Sequence, residues 1–324
     1  MTDSRSASPA KRHGRGSIIL GLTSVLLALA CRGGDRADPD FRAEVANPAY
    51  AREGPRVLFD EAHNNHHRAA STYRPFTKLL EADGYRVVRG RDPVTAKALQ
   101  SIDVLVIAGA LGRNERNDDA AFLSQEVEAI QKWVSDGGAL LLITDHYPFG
   151  DAVETLAERL GIVMTKGVVE DTASYDPSFD PTHIVYSRSS GGVVDHPITN
   201  GRTPSETIQR VLTFTGQGVT GLHSGVGFLR LTATAVARSA EPLVEREGGD
   251  VRVHVHYGAP TPADPYAQGL ALSHGQGRIV VVGDAAMLTA QLRRFDGLSI
   301  GMTTRGYDNR QLALNILHWL TRLI

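Results

Sequence analysis

Cysteine is almost missing from this chain: Cys31 is the only one in 324 residues, so no intramolecular disulfide can form and the fold must rest on its core. Charge of one sign is missing too. A formal net charge of -2, with no run of lysine or arginine beyond the first fifteen residues, offers no field for a nucleic-acid backbone. No apolar stretch reaches the roughly 20 residues that a membrane-crossing helix requires. What the chain does have is glycine in quantity, histidine in clusters, and several short, wholly apolar runs.

The first thirty residues read as an export leader: Lys11, Arg12 and Arg15 precede an apolar run over 17–30 that is too short to span a bilayer. The segment Leu27-Ala28-Leu29-Ala30-Cys31 resembles a bacterial lipobox, although Ala28 stands where Leu, Val or Ile is usual. The resemblance implies cleavage before Cys31 and a lipid anchor on it, making the membrane a partner. An ordinary leader that leaves a free thiol is the alternative. Arg32, in the place where Asp would follow the cysteine, implies by likeness to Gram-negative sorting an outer-membrane protein facing the periplasm. Residues 31–54 are rich in Gly, Asp, Ala, Pro and Arg without apolar periodicity, so a tether is expected there. Residues 55–324 are long enough for one large domain.

From residue 56 the chain alternates strand and helix signals. Residues 57–59, 85–88, 102–108 and 139–144 are apolar runs suited to buried strands. Between them Phe76, Leu79 and Leu80 mark one helix, and Leu123, Val127, Ile130 and Val134 mark another that Gly137 and Gly138 stop. Thr95 suits the cap of a short helix over 96–100, and Asp151 with Glu154 has capping-box spacing for a helix through Leu160. Residues 278–282 are the last buried strand, and Leu312, Ile316, Trp319 and Leu323 the closing helix. The predicted class is α/β, a mostly parallel, doubly wound sheet. Residues 171–268 are expected to form an elaborated loop and strand region. Within it Val251, Val253, Val255 and Tyr257 alternate with Arg252, His254 and His256, the pattern of a half-exposed strand.

The densest chemistry is Asp60-Glu61-Ala62-His63-Asn64-Asn65-His66-His67, directly after the first strand. Its opening spells the DEAH string of a helicase motif, but no Gly-Lys-Ser/Thr phosphate loop exists, so no nucleotide is expected. Asp145-His146 and Asp284 follow two other strands. In an open parallel sheet the carboxyl ends of the strands share one crevice. Asp60, Glu61, His63, Asn64, His66, Asp145, His146 and Asp284 are therefore the candidate binding or catalytic residues. His63, His66, Asp145 and Asp284 are a candidate divalent-metal set, the one cofactor considered. The competing reading makes these carboxylates helix caps. Ser224 lacks the glycine that a nucleophile elbow needs, Gly109-Ala110-Leu111-Gly112 is only a fragment of a dinucleotide fingerprint, and Gly275-Gln276-Gly277 reads as a hairpin turn.

The order of the segments 102–109, 130–138 with Trp133, and 139–150 resembles the class I glutamine amidotransferase-like superfamily. The closing unit, Gly277 to Asp284 followed by Asn309 to Leu320, resembles one branch of it. That branch holds gliding-motility auxiliary components of ABC transporters and the GIFT domains of intraflagellar transport. The resemblance implies a flavodoxin-like or amidotransferase-like sheet and, in many members, a noncatalytic binding domain. In true amidotransferases a catalytic cysteine follows the strand equivalent to 139–144; here Asp145-His146 stands there, so cysteine-dependent glutamine hydrolysis is not expected. Three readings stay open. One is a periplasm-facing lipoprotein with a ligand-binding or assembly domain, its partner a glycan or other envelope ligand, a transporter or an assembly. A second is a metal-assisted or Asp/His-dependent hydrolase of envelope substrates, and the third a purely structural domain.

Overall fold

The computed structural model describes residues 36–324 apart from 52, 115, 248 and 249; the leader and Cys31 lie outside the described residues. The principal strands are β1 (Arg56–Asp60), β2 (Arg86–Gly90), β3 (Val104–Ala108), β4 (Ala139–Ile143), β5 (Ile162–Met164), β6 (Gly167–Asp171), β7 (Val219–Gly221), β8 (Val226–Arg230), β9 (Ala235–Glu247), β10 (Asp250–Tyr257), β11 (Ala267–His274) and β12 (Gly277–Val282). The principal helices are α1 (Arg74–Ala82), α2 (Ser124–Ser135) and α3 (Asn309–Leu320).

A nine-stranded sheet runs in the order β2-β1-β3-β4-β12-β11-β7-β5, with β8 paired to β11. The pairings from β2 to β12 are parallel, as the α/β reading expects, and those beyond β12 are antiparallel. The reversal comes from the hairpin at Gly275-Gln276: His274 faces Gly277 across it, and Gly275 takes φ +60°, where a side chain is strained. The parallel strands read as apolar runs because both their faces are covered. Phe59, Val106, Leu141 and Val280 pack on the side of α1 and α3, while Leu105, Ile107, Leu142 and Val281 pack on the side of α2.

One local expectation holds at the level of a single bond. Thr95 accepts a hydrogen bond from Ala98 N at 3.2 Å, capping the short helix Ala96–Leu99. The expected Asp151–Glu154 capping box does not form. Two short helices, Phe149–Ala152 and Glu154–Arg159, stand there instead, and both carboxylates face the ammonium of Lys166. In the middle region β6 pairs with the first half of β9, and the second half of β9 pairs with β10 as a two-stranded ribbon. The predicted alternation over 251–257 is that of the returning strand of this ribbon.

The tether expected over 31–54 is, in its described part, a strap fixed to the domain. Arg36 and Ala37 pair with Leu292 and Gln291. Arg310 donates to the carbonyls of Arg42, at 2.7 Å, and Glu44; Arg202 donates to that of Asn47 at 2.8 Å. Ala49 N donates to Asp83 Oδ1 at 2.7 Å, and the Tyr50 hydroxyl to Thr321 Oγ1 at 2.9 Å. Composition misled here because the strap's backbone is satisfied by side chains far away in sequence, which no local pattern records.

Candidate binding groove

The carboxyl ends of β1, β3, β4 and β12 lie along one edge of the sheet, and the eight candidate residues separate there into two sides. Asp60 and His63 fall on the α2 side. His63 Nδ1 is bonded to Asp60 Oδ1 at 2.8 Å, and its Nε2 to Glu126 Oε1 at 2.9 Å, with the ring against Phe122 at 4.0 Å between centroids. Burial alone would depress the His63 pKa, but the bonds and charges of Asp60 and Glu126 outweigh it and raise the value. With a carboxylate on each nitrogen, the imidazolium is the form that satisfies both. Asp60 also accepts from Asn65 Nδ2 at 2.9 Å. Glu126 accepts from the backbone N–H groups of Val94 at 2.8 Å and Leu123 at 3.0 Å. This buried cluster joins β1, the 91–94 turn and α2, and leaves His63 no open nitrogen.

Glu61 and Asn64 are spent on neighbouring loops. Glu61 pairs with Arg89 at 2.8 Å and accepts from Ala69 N at 3.0 Å. Asn64, at φ +49°, donates to the carbonyl of Gly112 at 3.1 Å.

The remaining four come together. His146 Nε2 lies 3.7 Å from Asp145 Oδ1; His66 and His146 lie on Phe149, with ring centroids 5.7 and 6.0 Å from it. Asp145 is fixed by its own turn and the next: Oδ1 accepts from His146 N at 2.7 Å and Oδ2 from Ala285 N at 3.1 Å. Asp284 accepts from Phe214 N and from Met287 N, the second at 3.2 Å, which braces the 3-10 turn Ala286–Leu288, whose N-cap is Ala285. Asp284 thus stands one residue before the cap position, and Asp145 bridges two turns.

Burial pushes the carboxyls of both Asp145 and Asp284 up to about 7, and the charge of Asp145 adds to the rise at Asp284. Their repulsion belongs to the pair, and the second carboxyl to ionise bears it. The imidazoles move the other way. Burial lowers His66, His146 and His67, the last to about 3, and mutual repulsion between His66 and His146 deepens the shift at His66. His146 lies among protein atoms on most sides, yet 31 % of its side chain meets solvent. Its Nδ1 is bonded to the Tyr147 carbonyl at 2.8 Å, so this nitrogen carries the proton and Nε2 is left as an acceptor.

Residues that sequence reasoning missed complete the groove. His67 bonds Thr72 Oγ1 at 2.9 Å, and the Tyr73 hydroxyl donates to the Ala285 carbonyl at 2.6 Å. Gln217 donates to Thr144 Oγ1 at 2.9 Å and to the Asp145 carbonyl at 2.6 Å, fixing the turn from below. Tyr257, at the base of the ribbon, is raised in pKa by burial and, to a smaller degree, by the charge of Asp145. His67 stood in the histidine run and was legible; Gln217 carried no signal.

Among the described residues no group of three or more His, Cys, Asp or Glu is placed to hold a metal ion. The set His63, His66, Asp145 and Asp284 is divided, because His63 is turned to the α2 side by Asp60 and Glu126. Two cavities lie elsewhere, one beside Val219 and Tyr266 and the other beside Arg74 and Val87.

Residues 56–296 match the sequence model of the IFT52 GIFT domain. Among solved structures, the mmIFT52 N-terminal domain superposes with a TM-score of 0.58 at 15% identity, covering 82% of this chain and 97% of that one. The Cytoplasmic Protein STM3548 from Salmonella typhimurium gives 0.46 at 14% identity, over 82% and 99% of the two chains. A ThuA-like protein from Bacteroides uniformis gives 0.39 at 12%, over 85% and 93%. No curated protein sequence matches the chain significantly.

Proposed function

Because the chain belongs to the IFT52 GIFT domain family, we propose that it is a noncatalytic binding or assembly module, exported and tethered through a lipid on Cys31 with its domain facing the periplasm. The observation that carries this reading is the double commitment of Asp145. It stands where an amidotransferase-like relative would present its nucleophile, and both its oxygens accept backbone N–H groups, so it serves to join two turns. Around it the surface offers the imidazoles of His66 and His146, both held toward the neutral form, over carboxyls that are themselves buried. Such a surface donates and accepts hydrogen bonds with little net charge. It suits an uncharged polar ligand, such as the hydroxyls of an envelope glycan, better than a cation.

One observation favours the hydrolase reading: a carboxyl titrating near 7 lies beside an imidazole whose Nε2 is free to accept a proton. The two readings separate in one experiment. The full chain and its His66→Ala, His146→Ala variant are screened against envelope glycans, peptides and esters for binding and for turnover. Saturable binding without turnover, lost in the variant, supports the module. Turnover that the variant abolishes overturns it in favour of the hydrolase, and binding unchanged in the variant removes the groove from either role.

A further inference from the structure

Phe295 is 80 % exposed, the most exposed large apolar side chain among the described residues. It stands at the tip of the hairpin that joins the strands Ala290–Leu292 and Ser299–Gly301, closed by Arg293 N donating to the Leu298 carbonyl at 2.8 Å. Other apolar residues, such as Leu222 and Leu243, are exposed singly and call for no explanation. Phe295 differs in being braced. The Arg293 guanidinium lies 4.4 Å from its ring centroid and 5.0 Å from that of Phe179, and is ion-paired with Asp296, so the ring is held out from the body on a fixed support.

The direction of the chain gives this tip a neighbour. Arg36 pairs with Leu292 and Ala37 with Gln291, antiparallel, so Arg36, the first described residue, stands at the end of the pairing nearer the tip. Cys31 precedes Arg36 by five residues, at most about 18 Å of extended chain. Exposed Arg294 directly precedes Phe295, exposed Arg36 stands opposite Leu292 at the root of the hairpin, and Leu298 is exposed in the same turn. An aromatic ring with arginines around it is the composition that settles at a lipid-water interface. Resting on the reading of Cys31 as the lipid anchor, we infer that the 293–298 tip lies on the anchoring membrane, Phe295 entering the interfacial layer and Arg36 and Arg294 meeting anionic headgroups. The anchor then does more than retain the domain. It fixes which face the domain turns to the lipid.

The test uses the full chain, purified from bacterial membranes, with vesicles of phosphatidylethanolamine and phosphatidylglycerol whose acyl chains are brominated. Phe295→Trp is compared with Leu222→Trp and with the unsubstituted chain, whose Trp133 and Trp319 set the baseline. The indole introduced at position 295 should shift to the blue and lose most of its emission, while the one introduced at position 222 stays at the level it shows with unbrominated lipid. Flotation reports the anchor separately, and Cys31→Ser removes it. A Phe295→Trp chain that floats with its added indole unquenched overturns the inference and leaves the anchor standing. A chain that does not float, yet has that indole quenched by added vesicles, keeps the membrane face and removes the anchor. Neither flotation nor quenching overturns both. A blue shift of the same indole without vesicles that grows with protein concentration overturns the inference in favour of a second copy of the chain.

Discussion

His318 Nε2 lies 2.7 Å from Asp83 Oδ2, and neither side chain has any exposed surface. Asp83 closes α1 and His318 sits in the last turn of α3, so one buried bond joins the first and last helices of the domain. The other oxygen of Asp83 takes the N–H of Ala49, which brings the strap into the same junction.

Removing one partner leaves the other buried without its bond. Asp83→Ala and His318→Ala should each cost about 3–5 kcal/mol in denaturant unfolding. The double variant should cost little more than either alone, because the second change removes a group already stranded. Losses that simply add would show that the two residues act independently.

The strap makes a second prediction. If Asp83 and Arg310 hold it to the body, the amides of Ala49 and Tyr50 are protected in hydrogen-deuterium exchange, and Arg310→Ala speeds exchange over 42–50. Exchange at the rate of an unstructured peptide in the unsubstituted protein would restore the tether.

His63 should make stability depend on pH. Its folded pKa is raised above 6.5, so its contribution is complete below 6.5 and is lost as pH rises through the folded value. Glu126 works oppositely: its folded pKa is lowered from 4.5 despite burial, so its contribution is present above 4.5 and lost as pH falls through the folded value. The stability difference between the unsubstituted chain and His63→Gln, followed by urea midpoint, should therefore shrink toward alkaline pH. A difference independent of pH would mean that His63 is neutral in the fold.

Asp145 and Asp284 titrate as a pair. Both are raised to about 7, so the protein binds protons more tightly folded than unfolded, and their contribution is lost as pH rises through about 7. Asp145→Asn removes the repulsion and should lower the pKa of Asp284, read by carboxyl-carbon NMR. An unmoved titration would show that the carboxyls do not sense each other.

The sheet was legible because burial on both faces leaves no other use for runs such as 102–108 and 139–144. The meeting of Asp145, His146, Asp284 and His66 followed from where the strands end. His63 was misplaced for a reason no spacing reveals: its partner Glu126 stands 63 positions away, on a helix whose polar side gave no hint of a buried carboxylate. The closing helix hid its meaning in the same way. Asn309, Asn315 and His318 are fully buried and bond to Leu212, Ile198 and Asp83, so polar residues in a sequence that reads as amphipathic are the points that fasten the middle region and α1.

The pairing of Arg36 with Leu292 has a mechanical consequence. A pull on the N-terminus loads first the two short strands at 290–301 and the strap, and only afterwards the main sheet. The domain is thereby fitted with an element that takes up tension before the main sheet does.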